Sequence, residues 1–503
     1  MKKGKVWLVG AGPGDQGLFT IKGKEVLQNA DVVLYDSLVG PGVLAMIPDT
    51  ARTINVGKRS SHHTMPQWKM NELILEEAQK GNRVVRLKGG DPFLFGRGGE
   101  ELELLAENGI PFEVVPGITS PIAVPSYNGI PVTHRDFTSS LHIITGHKKA
   151  GDVYDIDFHA LVQTKGTLVF LMGIASLNDI CKGLLDAGME PDMPAAVLQK
   201  GTTARQKRII ATVSTLPDEV KKQGVETPAI IVVGRVCTLA DTFEWYEKLP
   251  LSGFRVLVTR PRGLSSEMAA KLRAQGADVL EVPSIATVPI ENNLKLIHAI
   301  QNLRDYQWIA FTSPSGVKIF FDQMRTSEVD IRNLAGLKIA SIGKGTANEL
   351  GKYGLISDLI PPRYDGEALG EWIARKADPD DRILLPRAEI GSKAILEKLK
   401  DFAVDDIPTY HTVPLKSEAV NETELFEHGE IDCAAFTSSS GVKAFLAANP
   451  DLDMSLVKAA CIGRQTQAAA DAAGMETFCA DKATIDSLLE LIIRIHDHYR
   501  QNG

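Results

Sequence analysis

Two glycine-rich stretches near the N-terminus have the residue types needed to hold a small molecule. The first is KVWLVGAGPGDQGLFT, residues 5–20. Gly10 and Gly12 let the backbone turn tightly and come close to a ligand. A dinucleotide loop runs G-x-G-x-x-G and seats a pyrophosphate on the amides of the following helix. Here Asp15 holds the third glycine position, and Pro13 removes an amide donor. A carboxylate beside a pyrophosphate costs on the order of several kcal/mol in a partly dry site, whereas a cationic ligand meets no such penalty. Asp36, in VVLYDS, stands where a dinucleotide fold would hold a ribose, so an NAD-dependent oxidoreductase is the competing reading. The second stretch is RLKGGDPFLFGRGGEE, residues 86–101. Gly89, Gly90, Asp91 and Pro92 make a sharp turn, and further glycines flank Arg97 before Glu100 and Glu101. Those two acids suit the first turn of a helix that Gly109 would end. So many glycines waste backbone entropy if the loops only turn the chain.

These loops need a frame. VWLVG, VVLYD, RVVRL and FEVVPG read as buried strands, and KGKEVLQNA and EELELLAENG as helices. The alternation predicts a parallel sheet with helices on its faces, and it puts the two glycine loops side by side on one edge. GIPVTHRDFTSS is rich in turn residues and joins a first lobe, about 1–130, to a second, 131–247. LHIITG, TLVFLMG, AAVLQKG and AIIVVGRV are the strands expected of that second α/β lobe. TFEWYEKLPLSG reads as a linker between two halves, its last residues 248–253 leading into a half that spans 254–503.

The second half repeats itself. FTSPSGVK at 311–318 matches FTSSSGVK at 436–443, ASIGKGTANELGKYG matches ACIGRQTQAAADAAG, and RVLVTRP at 255 pairs with RILLPRA at 382. Three motifs in the same order imply two lobes of similar α/β fold, with a cleft between them suited to a ligand.

Bulk properties exclude several classes. The chain has 503 residues, 44% hydrophobic and 23% charged, an ordinary soluble composition. A net charge of −8 argues against a nucleic-acid partner. No apolar run approaches the roughly 18 residues of a membrane span, and the first residues do not form a signal peptide. Cys181, Cys237, Cys433, Cys461 and Cys479 show no C-x-x-C spacing, which suits a reducing cytoplasm and buried, inert thiols. His62 and His63 have no third ligand in view, so no metal is expected.

Together GAGPGD, YDSLV, GKR, RLKGGDPFLFGRGGEE, VVPGITS, PVTHR and the MG after TLVFL resemble the uroporphyrinogen-III C-methyltransferases, over residues 4 to about 240. The resemblance implies S-adenosylmethionine, a sulfonium cation, as methyl donor. Matched position by position, its contacts would be Pro13, Gly89, Gly90, Asp91, Leu94, Thr119, Ser120, Met172, Gly201 and Ala229. Taken alone, Met172 reads as core and Thr119 and Ser120 as helix caps. The resemblance also implies Asp36 as proton acceptor and Lys58 as donor, and draws in Arg97 and Glu100. An arginine, with a pKa above about 12, is a poor base, so Arg97 reads better as a fork gripping a substrate carboxylate. Lys58, Arg59, His134, Arg135, Lys148 and Lys149 are further grips for the carboxylate-rich tetrapyrrole. A homodimer through this half is also implied.

The motifs of the second half resemble uroporphyrinogen-III synthase from about 254 to 495. The implied reaction closes linear hydroxymethylbilane into uroporphyrinogen III with inversion of ring D and loss of water. Tyr410 and Thr466 would help the hydroxyl leave, and Thr312, Ser313, Ser438 and Ser439 would contact carboxylates. The competing reading is a two-lobed ligand-binding module without chemistry. The whole chain then reads as a bifunctional lyase and methyltransferase that makes uroporphyrinogen III and methylates it twice to precorrin-2, towards sirohaem or cobalamin.

Overall fold

A computed structural model describes residues 3–57, 65–146, 156–261, 267–414 and 418–502. The first lobe is a five-stranded parallel sheet built from β1 (Lys5–Gly10), β2 (Val32–Tyr35), β3 (Arg52–Asn55), β4 (Arg83–Lys88) and β5 (Phe112–Val115), in the order β3-β2-β4-β1-β5. Both faces are buried, as a parallel sheet under helices requires. Alternate residues go to opposite sides: Val6, Leu8, Val84 and Leu34 pack in one core, and Val9, Val85, Leu87 and Val33 in the other. The helices Ile21–Gln28 and Gly98–Glu107 form where expected, and Gly109 ends the second at φ +60.

The second lobe carries β6 (Leu141–Thr145), β7 (Thr167–Leu171), β8 (Pro194–Gln199), β9 (Lys207–Thr212) and β10 (Ala229–Val233), in the order β6-β7-β10-β8-β9. Only β6 and β7 run parallel; β7–β10, β10–β8 and β8–β9 are antiparallel. The stretch expected to be a linker is packed instead. Tyr246 and Leu251 are buried, and Trp245 and Tyr246 close on the ring of Tyr127 at 5.1 and 5.0 Å.

The second half contains β11 (Arg255–Pro261), β12 (Asp278–Pro289), β13 (Trp308–Phe311), β14 (Lys338–Ser341), β15 (Arg382–Ala388), β16 (Ala403–Pro414), β17 (Cys433–Phe436), β18 (Lys458–Cys461) and β19 (Glu476–Cys479). Compact units do not follow the halves. Residues 1–260, 265–282 and 416–503 form one unit; residues 261–264 and 283–415 form the other. In the first unit β11, β17, β18 and β19 lie side by side, all parallel. In the second, β14, β13, β15 and β16 do the same, and the end of β12 runs antiparallel to β16. Each unit thus places an RVL/RIL strand beside an FTS strand beside an IG strand. The strands are exchanged, however. β11 belongs to the first sequence repeat but pairs with β17 of the second, while β15 of the second pairs with β13 of the first. The two lobes read from the repeat exist, but neither is one continuous repeat.

Candidate active site

The two glycine loops meet at the C-terminal ends of β1 and β4. Gly12 N–H donates to Gly90 O at 3.2 Å, and Gly90 N–H to Gly12 O at 2.8 Å. The approach needs glycine: a Cβ on Gly117 would sit 2.2 Å from Gly90 O. Gly90 itself has φ +67 and open space where its Cβ would be. Asp91 locks its loop, accepting from Phe93 N–H at 2.8 Å, Leu94 N–H at 3.2 Å and Gly117 N–H at 3.0 Å.

Beside these loops lies a cavity of about 550 Å³. Pro13, Gly89, Gly90, Asp91, Leu94, Thr119, Ser120, Met172, Gly201 and Ala229 all line it, from both lobes of the first half. Met172 is no core residue; it is 52% exposed, and with Leu38 and Phe95 it gives the cavity large apolar walls. Among the described residues, four of the eight non-glycine ones with positive φ line it too: Phe95, Arg97, Met172 and Lys200. Backbone held in that sparsely populated region gathers where loops are positioned for a ligand.

Asp15 corrects the first argument from sequence. It does not line this cavity. Its carboxylate accepts from Gly17 N–H at 2.7 Å and from the Tyr127 hydroxyl at 2.7 Å. Thr20 likewise takes the Gly23 amide at the start of the next helix. The Asp15 charge is spent on these local partners and does not face the cavity.

Sequence reasoning missed a buried charge cluster on one wall. Arg86 and Lys88 alternate with Leu87 on β4, so both point to the face covered by the helix Gly98–Glu107. Glu101 of that helix is fully buried and accepts from Lys88 Nζ at 2.6 Å and Arg86 Nε at 3.4 Å. Its Oε2 has no hydrogen-bond partner among the described residues. Arg86 Nη2 donates to Asp36 Oδ2 at 3.2 Å, and Asp36 also accepts from Leu38 N–H at 3.1 Å. Burial, then the adjacent Arg86 guanidinium, lowers the Lys88 ammonium below its ordinary range against the pull of Glu101 and Asp36. Asp36, Arg86 and Lys88 all line the cavity. The available signal was two cations spaced i, i+2 in the buried part of a central strand, where charges are buried only with partners.

Arg97 lines the cavity, whereas Glu100 does not. The Arg97 fork is filled by the Glu100 carboxylate, with Nε 2.9 Å from Oε1. That pairing raises the Arg97 pKa and lowers that of Glu100. His134 and Arg135 are not among the lining residues. Lys58, Arg59, His62, His63, Lys148 and Lys149 lie outside the described residues.

In the second half the repeated motif acts as a helix cap. Ser313 accepts from Gly316 N–H at 2.9 Å and Ser438 from Gly441 N–H at 3.1 Å, each at the end of a strand. Tyr410 is buried, with its hydroxyl 2.8 Å from Ser313 Oγ. Burial raises its pKa, and the Ser313 hydrogen bond opposes that. Thr466 is 4% exposed in the first turn of the helix Arg464–Asp471. Cys181, Cys237, Cys433 and Cys461 are buried, and burial pushes the Cys237 thiol up to about 12.

The fold and the glycine-loop cavity define a two-part α/β protein whose first part is built like a small-molecule transferase. Residues 5–217 match the family model for tetrapyrrole (corrin/porphyrin) methylases, and residues 266–490 the one for uroporphyrinogen-III synthase HemD. A porphyrin biosynthesis protein HemD of Ruminiclostridium josui is 46% identical over 497 residues, covering 98% of this chain and 99% of that one. A uroporphyrinogen-III C-methyltransferase of Bacillus subtilis is 41% identical over 363 residues, covering 72% and 74%. Among solved structures, the uroporphyrin III C-methyl transferase from Thermus thermophilus is 38% identical over 47% of this chain and 99% of its own, with a TM-score of 0.41. The chain belongs to the family in which a tetrapyrrole methylase is fused to a uroporphyrinogen-III synthase.

Proposed function

We propose that the second half closes hydroxymethylbilane to uroporphyrinogen III with ring D inversion, and that the first half methylates that product twice, giving precorrin-2. One observation carries the methylase reading: the ten positions matched to donor contacts, scattered from Pro13 to Ala229, surround a single cavity. The residues suit S-adenosylmethionine. Gly90 leaves open space against the loop, and Met172, Leu94 and Ala229 offer an apolar slot for an adenosine. When bound, the donor supplies an electrophilic methyl group on sulfur.

The chain's own work is to hold the acceptor carbon in line with that methyl, near ~3–3.5 Å, and to keep water away. Leu38, Phe95 and Met172 present apolar surface to the pyrroles of the macrocycle. Arg97 offers its fork to a substrate carboxylate once Glu100 yields it. Asp36, oriented by Arg86 and the Leu38 amide, takes the proton that the macrocycle gives up elsewhere once the methyl has been added. Tyr410, its hydroxyl hydrogen-bonded to Ser313, assists the departing hydroxyl in the cyclisation. Lys58 is the proton donor that the family resemblance implies.

The test is direct. The full chain, given hydroxymethylbilane and S-adenosylmethionine without oxygen, should yield a product two methyl groups heavier than uroporphyrinogen III. Cyclisation without any mass gain would remove the methylase assignment; no cyclic product would remove the synthase assignment.

A further inference from the structure

The wall of the methylase cavity is not held by the methylase half alone. After β8 the chain runs Lys200, Gly201, Thr202, Thr203, Ala204, Arg205. Lys200 and Gly201 line the donor cavity. Lys200 and Thr202 have φ of +44 and +66, a sparsely populated conformation that persists only where the surroundings impose it. Part of the restraint is local: Thr202 N–H donates to Gln206 Oε1 at 2.9 Å, and Thr203 Oγ1 to Lys200 O at 2.7 Å.

Other bonds come from the methylase half, as from Asp15 N–H to Thr202 Oγ1 at 3.2 Å, and a further set comes from the synthase half, within the same compact unit. Arg205 donates Nη1 and Nη2 to the two oxygens of Asp432, both at 3.0 Å, and Nη2 also to Gly429 O at 2.7 Å. Ala204 N–H donates to Asp278 Oδ2 at 3.1 Å. Lys200, a cavity residue, has its Nζ 3.9 Å from Glu430 Oε1. Asp278, Glu430 and Asp432 are themselves fixed by buried Arg255: its side chain donates to Asp278 at 2.8 Å and to Glu430 at 3.0 Å, and its N–H to Asp432 at 2.7 Å. The receiving surface is therefore preorganised. A bidentate guanidinium–carboxylate pair, three-quarters buried on both sides, holds geometry far better than an exposed lysine contact.

We infer that Arg205 is a positioning residue, through which the synthase acids Asp278, Glu430 and Asp432 hold the cavity loop 200–206 in its donor-binding shape. Methyl-donor affinity in this chain then depends on the presence and state of the synthase half. The inference rests on the reading of the cavity as the donor site.

Titration calorimetry of the full chain with S-adenosylhomocysteine tests it, beside steady-state methylation and cyclisation. R205A and D432N should each weaken binding about tenfold. The double variant should be no worse than the poorer single, because both remove one interaction. R205K should recover part of the loss. The KM for the donor should rise while kcat at saturating donor and the cyclisation rate stay within twofold, a split that general damage to the fold does not produce. Native binding with R205A, R205K and D432N all within twofold of it would overturn the inference. Should R205A not fold, R205K and D432N decide. A native chain that ignores S-adenosylhomocysteine would instead refute the donor site itself, and the inference with it.

Discussion

Glu101→Gln isolates the buried charge cluster, because it keeps shape and removes one charge. Glu101 is fully buried, with Lys88 Nζ at 2.6 Å and Arg86 Nε at 3.4 Å. At an effective dielectric of about 20, the Lys88–Glu101 attraction is ~6 kcal/mol before desolvation is subtracted. Deleting one partner of such a pair leaves an uncompensated buried charge and costs about 3–5 kcal/mol. Lys88 has an escape: it can release its proton. From an unfolded pKa near 10.4, that costs about 4.6 kcal/mol at pH 7, which caps the loss. Two routes thus agree on ~3–4.5 kcal/mol. The sign with pH follows. Lys88 is already lowered in the native chain and would be lowered further in the variant. Below pH ~10.4 the unfolded variant binds more protons than the folded one, so its stability rises with pH. The cap falls to about 1.4 kcal/mol at pH 9.4. Calorimetric unfolding of the full chain should show the affected transition lowered by about 10 °C at pH 7 and by about 4 °C at pH 9.4. A variant as stable as the native chain at pH 7, or a gap that fails to narrow by pH 9.4, would refute the reasoning.

Other changes separate roles. Arg97→Ala should raise the KM for uroporphyrinogen III about 10- to 100-fold, the worth of a charged fork, while Glu100→Gln, which frees that fork, should not raise it; steady-state methylation decides. Asp36→Asn should slow methylation by about 100-fold or more and leave S-adenosylhomocysteine binding within a few-fold of native; equal turnover would mean that another group accepts the proton. Tyr410→Phe removes the hydroxyl that meets Ser313, so cyclisation should slow and stability fall by about 1 kcal/mol. An unchanged cyclisation rate would clear Tyr410 of any part in the reaction.

Much of the first half is legible in its residues. Four apolar runs become the parallel strands, and both glycine loops fall at neighbouring strand ends. Those features are local: side chains alternate along a strand, and glycine alone permits the close crossing at Gly90 and Gly117. The carboxylate of Asp15 turns away from the cavity to Tyr127, a partner 112 positions away that no local spacing reveals. β3 and β9 were not anticipated; RTIN and KRIIAT carry too little unbroken apolar pattern to stand out. In the second half, strength of motif and position agree at Ser313 and Ser438, where a hydroxyl capping the residue three ahead is visible in the spacing itself.

What the amino-acid order determined by itself is therefore the α/β alternation, the glycine loops, the caps and the internal duplication. Each depends on residues within a turn or two of one another, or on simple repetition. Only the tertiary structure decided that Arg86 and Lys88 share Glu101, that the repeats exchange β11 and β15, and that Arg205 reaches Asp432. Those outcomes depend on which surfaces meet across long stretches of chain. Burial of apolar faces selects that meeting, and no local spacing encodes it.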